Sequence, residues 1–156
     1  MRDSLTDFLG HLVQGLRVAS HMPESEGGVQ IERVFSGAPW EPRVGYCRVA
    51  AAGPMVAVTG TAPLAEGSGV HAPGDPEAQA IRCFEIIRDS LAKLSIPLDR
   101  VFRTRMFVTD ISQWEAFGRA HHRFFGAHPP ATTMVEVSAL IDPEMMIEIE
   151  ADAWRG

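Results

Sequence analysis

Acidic and basic side chains that could perform chemistry recur at two-residue spacing in two segments of this 156-residue chain. Five of them fall on the charged faces of two predicted strands: Arg103, Arg105, Glu148, Glu150 and Asp152. Successive residues of a strand point to opposite faces, so each set shares one face of its strand. A carboxylate whose pKa is raised by burial can act as a general base, and a guanidinium can bind an anionic group. The pattern therefore predicts one sheet surface on which guanidinium groups and carboxylates come together.

Two further charges, Arg48 and Glu136, are expected on the same surface, so that three arginines would meet four carboxylates. A solvated charged sheet face is common and needs no function. The same strands, however, carry Tyr46, Phe107 and Met146, and such a mixture of charged and apolar groups is more typical of an interface. We expect self-association to bury this surface and to create a pocket at the subunit boundary.

The elements that would position these charges follow from the spacing of apolar residues. The predicted strands span 31–35, 45–51, 55–59, 103–109, 133–139 and 145–153. One helix is predicted to begin with Asp75 as its cap, and a second with a capping box at 112–115. The order β-β-β-α-β-α-β-β predicts an α+β fold with two helices on one face of a mixed sheet.

The first 30 residues are expected to form an extension outside this domain, which would span residues 31–156. Apolar residues at helical spacing predict a short amphipathic helix over 5–16, followed by a flexible linker at 23–28. Met22 leaves open whether the extension is an appendage or lies upstream of a second start.

Composition excludes several classes of protein. With 14 Lys and Arg against 20 Asp and Glu, the net charge of −6 disfavours nucleic acid as a partner. No run approaches the roughly 18 apolar residues of a membrane span. Two cysteines, Cys47 and Cys83, are expected to be reduced thiols in a cytoplasmic protein. Metal-ligand spacings and phosphate-binding glycine motifs are missing from the sequence, so we expect no metal and no cofactor.

An ordered series of short motifs resembles the RidA (YjgF/YER057c/UK114) family. The matching segments are SGAPWE at 36–41, VGYCR at 44–48, TGT at 59–61, RTRMFVTD at 103–110, PATTMVEV at 130–137 and IEIEA at 147–151. The resemblance implies a chorismate-mutase-like fold that assembles as a homotrimer, with a central barrel and three clefts between subunits. Members of the family hydrolyse reactive enamines and imines, such as 2-aminoacrylate, to keto acids and ammonia.

The resemblance also assigns residue roles. Glu148 matches the glutamate of the last strand, which positions or activates water in those members. The family's substrate-binding arginine, in a Pro-x-Arg motif, is replaced here by Thr132. A threonine offers one neutral donor, whereas a guanidinium pairs a carboxylate through two charge-assisted hydrogen bonds. The chain therefore resembles members without the standard deaminase site.

Several candidate residues have two interpretations each. Glu148 could order water, or it could form an ion pair with Arg103 or Arg105 in the barrel. Arg105 could replace the missing carboxylate clamp, although structural pairing with Glu148 or Glu136 is the simpler interpretation. Both assignments depend on how the strands align.

The remaining substrate-binding candidates are Thr61, Thr132, Trp40, Tyr46 and Cys47. The two threonines could bind substrate through their hydroxyls, or they could simply favour strand structure. Trp40 could cover a pocket or pack over the barrel edge. The resemblance places the family's pocket tyrosine at Cys47, with Tyr46 on the opposite face of the strand unless a bulge intervenes.

Two classes of function fit these residues. One is a hydrolase acting on an imine, an enamine or a related carbonyl–nitrogen compound in a cleft between subunits, with Glu148 handling water. The other is a non-catalytic trimeric module that binds a small metabolite or a partner protein. Ribonuclease activity, a third candidate from the family, is disfavoured by the acidic balance.

Overall fold

A six-stranded mixed sheet is the frame of the fold in a computed structural model that describes residues 28–156. The strands are β1 (Ile31–Val34), β2 (Val49–Ala52), β3 (Met55–Thr61), β4 (Val101–Val108), β5 (Ala131–Glu136) and β6 (Ile147–Trp154). The helices are α1 (Trp40–Val44), α2 (Pro76–Ala92) and α3 (Trp114–Phe125). The order across the sheet is β1-β2-β3-β6-β4-β5, and only β4 and β5 run parallel. The last strand of the chain therefore lies inside the sheet, between β3 and β4.

One face of the sheet carries the core, and α2 and α3 cover it. The apolar residues of β6 alternate with its charges, and Ile147, Ile149, Ala151 and Ala153 are fully buried. Phe84 of α2 and Phe117 of α3 belong to the same core. Each large apolar side chain stabilises the fold by about 1.5–3 kcal/mol when buried. The predicted α+β class, with two helices on one face, is confirmed.

The two long helices begin in different ways. The Asp75 carboxylate accepts a hydrogen bond from Ala78 N at 2.9 Å, as predicted for a helix cap. The predicted capping box at 112–115 is wrong. Asp110 instead accepts hydrogen bonds from Ser112 and starts a 3₁₀ turn, and α3 begins afterwards at Trp114 without a side-chain cap.

The connection between β1 and β2 differs from the prediction of a strand over 45–51. The short helix α1 ends at Gly45, whose positive φ of 83° is an ordinary conformation for glycine. Tyr46 and Cys47 follow in irregular chain, and β2 begins only at Val49. The strict alternation of side chains therefore does not apply to Tyr46 and Cys47.

Glu136 does not lie with the other carboxylates, and that prediction is wrong. The parallel register pairs Glu136 with Val108, whose side chain is buried on the helix-covered face. The Glu136 carboxylate accepts a hydrogen bond from Ile111 N at 2.9 Å. It therefore holds the turn before α3, and the sheet separates it from the carboxylates of β6, which lie on the opposite face.

The structure bears on the predicted lack of a membrane span but not on the predicted N-terminal helix. Within residues 28–156, the helices lack the combination of length and apolarity needed to span a bilayer. The helix predicted over 5–16 lies outside the described residues.

Candidate functional site

Glu148 lies in the middle of the sheet, on the face that α2 and α3 leave uncovered. It is half-buried, and its partner in the β4–β6 register is Phe107. Burial raises the pKa of the Glu148 carboxyl, and the charge of Glu150 raises it further, while Arg48 acts in the opposite direction. Glu148 therefore holds a proton to a higher pH than an ordinary glutamate does, as a general acid or base near neutrality requires.

Gly60 provides the space for this carboxylate. The pairing of β3 with β6 shifts register between Val58 and Thr61, and Gly60 lies in the shifted stretch. A Cβ atom at position 60 would overlap Oε1 of Glu148 and would lie 3.0 Å from its Cδ. The φ of Gly60 is not positive, so glycine is required here for space and not for backbone conformation.

Arg48 and Thr61 fix the irregular backbone next to Glu148. Nη1 of Arg48 donates to Gly60 O and to Thr61 Oγ1, both at 3.2 Å. The Thr61 hydroxyl in turn donates to Thr59 O at 2.9 Å. The buried hydroxyl of Thr61 is thus engaged with the protein, although the sequence suggested it as a substrate ligand.

Arg105 is held by carboxylates of the neighbouring strand. Its Nη1 lies 3.4 Å from Glu150 Oε2, and its Nη2 lies 3.1 Å from Asp152 Oδ2. Among the described residues of one chain Glu148 takes part in no ion pair, and a pair with Arg103 or Arg105 of another subunit in a barrel stays a prediction. Within one chain, therefore, the guanidinium of Arg105 is committed to two other acids.

Thr132 lies on the other side of the sheet from Glu148. Its register partner is Thr104, which is fully buried on the helix-covered face, and the two hydroxyls share a short hydrogen bond. Thr104 also contacts Nε2 of His121 at 3.0 Å. Burial lowers the pKa of His121, and the charge of His122 lowers it further. A single chain therefore does not bring Thr132 and Glu148 together.

A cavity of about 650 Å³ opens on the same face as the charges of β6. Its lining includes Phe35, Tyr46, Cys47, Ala50, Ala57, Glu150 and Asp152. Tyr46 and Cys47 both line it, because they precede β2 in irregular chain, where the alternation of faces expected for a regular strand does not apply. Trp40 is not part of the lining. It is about half exposed and stacks under the Arg43 guanidinium at 4.7 Å.

Glu41 is a buried charge that the sequence reading did not single out. Its carboxylate accepts hydrogen bonds from Ser36 N and Oγ, at 2.9 and 2.8 Å, and from Gly37 N at 3.0 Å. Burial acts to raise the pKa of Glu41, but these hydrogen bonds and the charge of Arg48 together outweigh it and lower the pKa. Glu41 thereby fixes the loop beside the cavity, and its place in the SGAPWE motif was the available signal.

The described residues contain no cluster of three metal-ligating side chains. Cys83 is fully buried under the sheet, and burial raises the pKa of its thiol. A thiol in this environment is held in its protonated form and is not a nucleophile.

The uncovered sheet face with its central glutamate and the two-helix layer behind it define a chorismate-mutase-like α+β protein. The chain belongs to the RidA (YjgF/YER057c/UK114) family, and the family described as Endoribonuclease L-PSP matches residues 36–155.

Individual relatives agree with this assignment. A Mycobacterium tuberculosis structure described as a member of the YjgF/YER057c/UK114 family has 42% sequence identity and a TM-score of 0.72, covering 81% of this chain and all of that one. An uncharacterized Streptomyces coelicolor protein is 34% identical over 126 residues, which are 81% of this chain and 93% of that protein. The 3-aminoacrylate deaminase RutC of Acinetobacter baylyi is 30% identical over 112 residues, covering 72% of this chain and 88% of that enzyme.

Proposed function

We propose that this protein is a small-molecule hydrolase that acts on an imine, an enamine or a related carbonyl–nitrogen compound. The observation that carries the proposal is the environment of Glu148. Its half-buried carboxylate packs against Gly60, and its pKa is raised. A base that is desolvated in this way can take a proton from water near neutral pH. The similarity to a 3-aminoacrylate deaminase supports the same reaction class.

The reaction needs only water and one proton carrier. Glu148 accepts a proton from water as the hydroxyl oxygen bonds to the imine carbon, and it passes that proton to the imine nitrogen, which gives a neutral carbinolamine. Glu148 then takes the hydroxyl proton of the carbinolamine and delivers it to the nitrogen as the carbon–nitrogen bond breaks, so that the carbonyl forms, ammonia leaves and Glu148 is again ionised. An enamine enters the same sequence after protonation at carbon gives the imine.

A homotrimer completes the site in this proposal. The uncovered sheet face combines ion pairs with apolar groups such as Phe107, Val135 and Phe35, a composition that suits an interface. Three copies that bury these faces against one another would enclose the cavity beside Tyr46 and Cys47 as a cleft between subunits. Burial in the assembly would raise the pKa of Glu148 further.

The test measures ammonia release from a panel of imines generated in situ, some with a carboxylate and some uncharged. Glu148→Gln should abolish release while light scattering still reports a trimer. Glu85→Gln, which changes a partly exposed glutamate on α2, is the matched control and should retain full activity. Lack of turnover across the whole panel, or a compact monomer at working concentration, contradicts the proposal.

The position of Thr132 favours a second candidate, a non-catalytic trimeric module that binds a metabolite or a partner protein. Its hydroxyl is bound to Thr104 where the resemblance implies a substrate-binding arginine. A ligand that raises the Tm of the wild type and of Glu148→Ala equally, without turnover, would select this candidate. Loss of that stabilisation in Glu148→Ala would reject it in favour of the hydrolase.

A further inference from the structure

Arg48 is a nearly buried cation whose charge has no carboxylate partner among the described ion pairs. Only 7% of the residue is exposed. Its hydrogen bonds to Gly60 O and Thr61 Oγ1 run through Nη1, and Nε is buried without any partner. A buried guanidinium is costly unless other charges compensate it. The structure must therefore provide a negative charge within reach of Arg48.

Two carboxylates feel the charge of Arg48, which acts to lower the pKa of both Glu41 and Glu148. Glu41 is already bound by Ser36 and Gly37, whereas Glu148 accepts no hydrogen bond from the described residues. Arg48 directly precedes β2, Gly60 belongs to β3 and Glu148 belongs to β6, and these three strands are adjacent in the sheet. Arg48 donates a hydrogen bond to the carbonyl oxygen of Gly60, and the Glu148 carboxylate occupies the space that a side chain at position 60 would need. The two charges therefore converge on one residue that has no side chain to separate them.

We propose that Arg48 is a positioning residue for Glu148. It holds the 59–61 backbone in the conformation that leaves space for the Glu148 carboxylate, and its positive charge stabilises the ionised carboxylate against the cost of burial. The reading of Glu148 as the group that handles water rests on the proposed function. The coupling between Arg48 and Glu148 is a property of the folded chain and does not depend on turnover.

Other charged groups around Glu148 do not replace Arg48. On its own strand Glu150 raises the pKa of Glu148, and on α2 the buried Cys83 thiol is neutral. Arg105 on β4 is paired with Glu150 and Asp152, and the 59–61 segment of β3 has no titratable side chain. Arg48 is thus the cation that acts directly on Glu148, while burial keeps the pKa above its ordinary value.

The experiment is an NMR titration of the Glu148 side-chain carboxyl carbon in full-length protein. Removing an opposite charge at close range should raise the pKa of Glu148 by about one unit in Arg48→Gln. Arg48→Lys keeps the charge and should retain most of the wild-type value. Arg88→Gln removes an exposed arginine that pairs with Asp89 on α2, and it should leave the pKa of Glu148 unchanged. An unchanged pKa in folded Arg48→Gln overturns the proposal.

A second measurement covers the case in which Arg48→Gln does not fold. In wild-type protein the side-chain nitrogen resonances of Arg48 should show a titration step at the pKa of Glu148, and Glu148→Gln should abolish that step. Glu41, whose pKa is lowered, can add a separate step at lower pH. A step at the pKa of Glu148 that persists in Glu148→Gln, or no such step in the wild type, also overturns the proposal. Neither measurement uses a substrate, so a protein without hydrolase activity that still shows the coupling would refute the proposed function alone.

Discussion

Replacing Gly60 by alanine should destabilise the protein only when Glu148 is present. The three heavy atoms nearest to a Cβ at position 60 all belong to the Glu148 side chain. The backbone of Gly60 does not have positive φ, so alanine meets no conformational penalty there. The whole cost of the substitution should therefore arise from displacement of one carboxylate.

The magnitude follows from two opposing contributions. Overpacking costs about 1–3 kcal/mol, and the lower half of that range applies because the end of a flexible side chain can move aside. Glycine to alanine at a compatible position stabilises by about 0.4–1 kcal/mol through the unfolded chain. Gly60→Ala should then lower the free energy of unfolding by about 1 kcal/mol in the wild type, and raise it by about 0.5 kcal/mol in Glu148→Ala.

The assay is urea denaturation of four proteins: wild type, both single variants and the double variant. All four must be compared at one protomer concentration, because association changes the apparent stability. The expected coupling free energy between positions 60 and 148 is about 1.5 kcal/mol, from the two opposite changes. Equal effects of Gly60→Ala in both backgrounds, within about 0.5 kcal/mol, would refute the reasoning.

Three further predictions test other parts of the structure. Glu41→Gln should lower the free energy of unfolding by about 1.5–3 kcal/mol in urea at pH 7, because an amide cannot accept every hydrogen bond that the carboxylate receives. Since the folded pKa of Glu41 lies below the unfolded one, this difference should shrink as the pH falls through the folded pKa; a pH-independent difference would contradict the assignment. The pKa of His121 is also lowered on folding, so wild-type stability should decrease from about pH 6.5 downward relative to His121→Gln, as measured by urea midpoints between pH 8 and pH 5. A thiol-reactive disulfide reagent should modify no more than Cys47 in native protein and should reach Cys83 only after unfolding; rapid modification of Cys83 would contradict its burial.

Local patterns in the sequence were sufficient for much of the fold. Alternation in the last strand correctly separated Glu148, Glu150 and Asp152 from the buried residues, because a strand fixes which side chains share a face. The Asp75 cap was predictable for a similar reason, since its partner is Ala78, three residues away.

Features that depend on contacts between distant segments were not predictable in this way. Glu136 was misplaced because its face depends on the parallel register with β4. The contact of Gly60 with Glu148 requires a register shift between strands that are almost ninety residues apart. The role of Arg48 depends on the same irregular stretch, so no spacing within its own segment could indicate it.

The placement of β6 also has a consequence for biosynthesis. The strands β1, β2 and β3 form one antiparallel group, β4 and β5 form a parallel pair, and only β6 joins the two. Because β6 follows the other five strands in the chain, the two groups keep unpaired edges during synthesis until β6 has emerged from the ribosome. Truncation before Ile147 should therefore yield aggregation-prone chains instead of a smaller folded protein, and the sheet can close only once β6 is available for pairing.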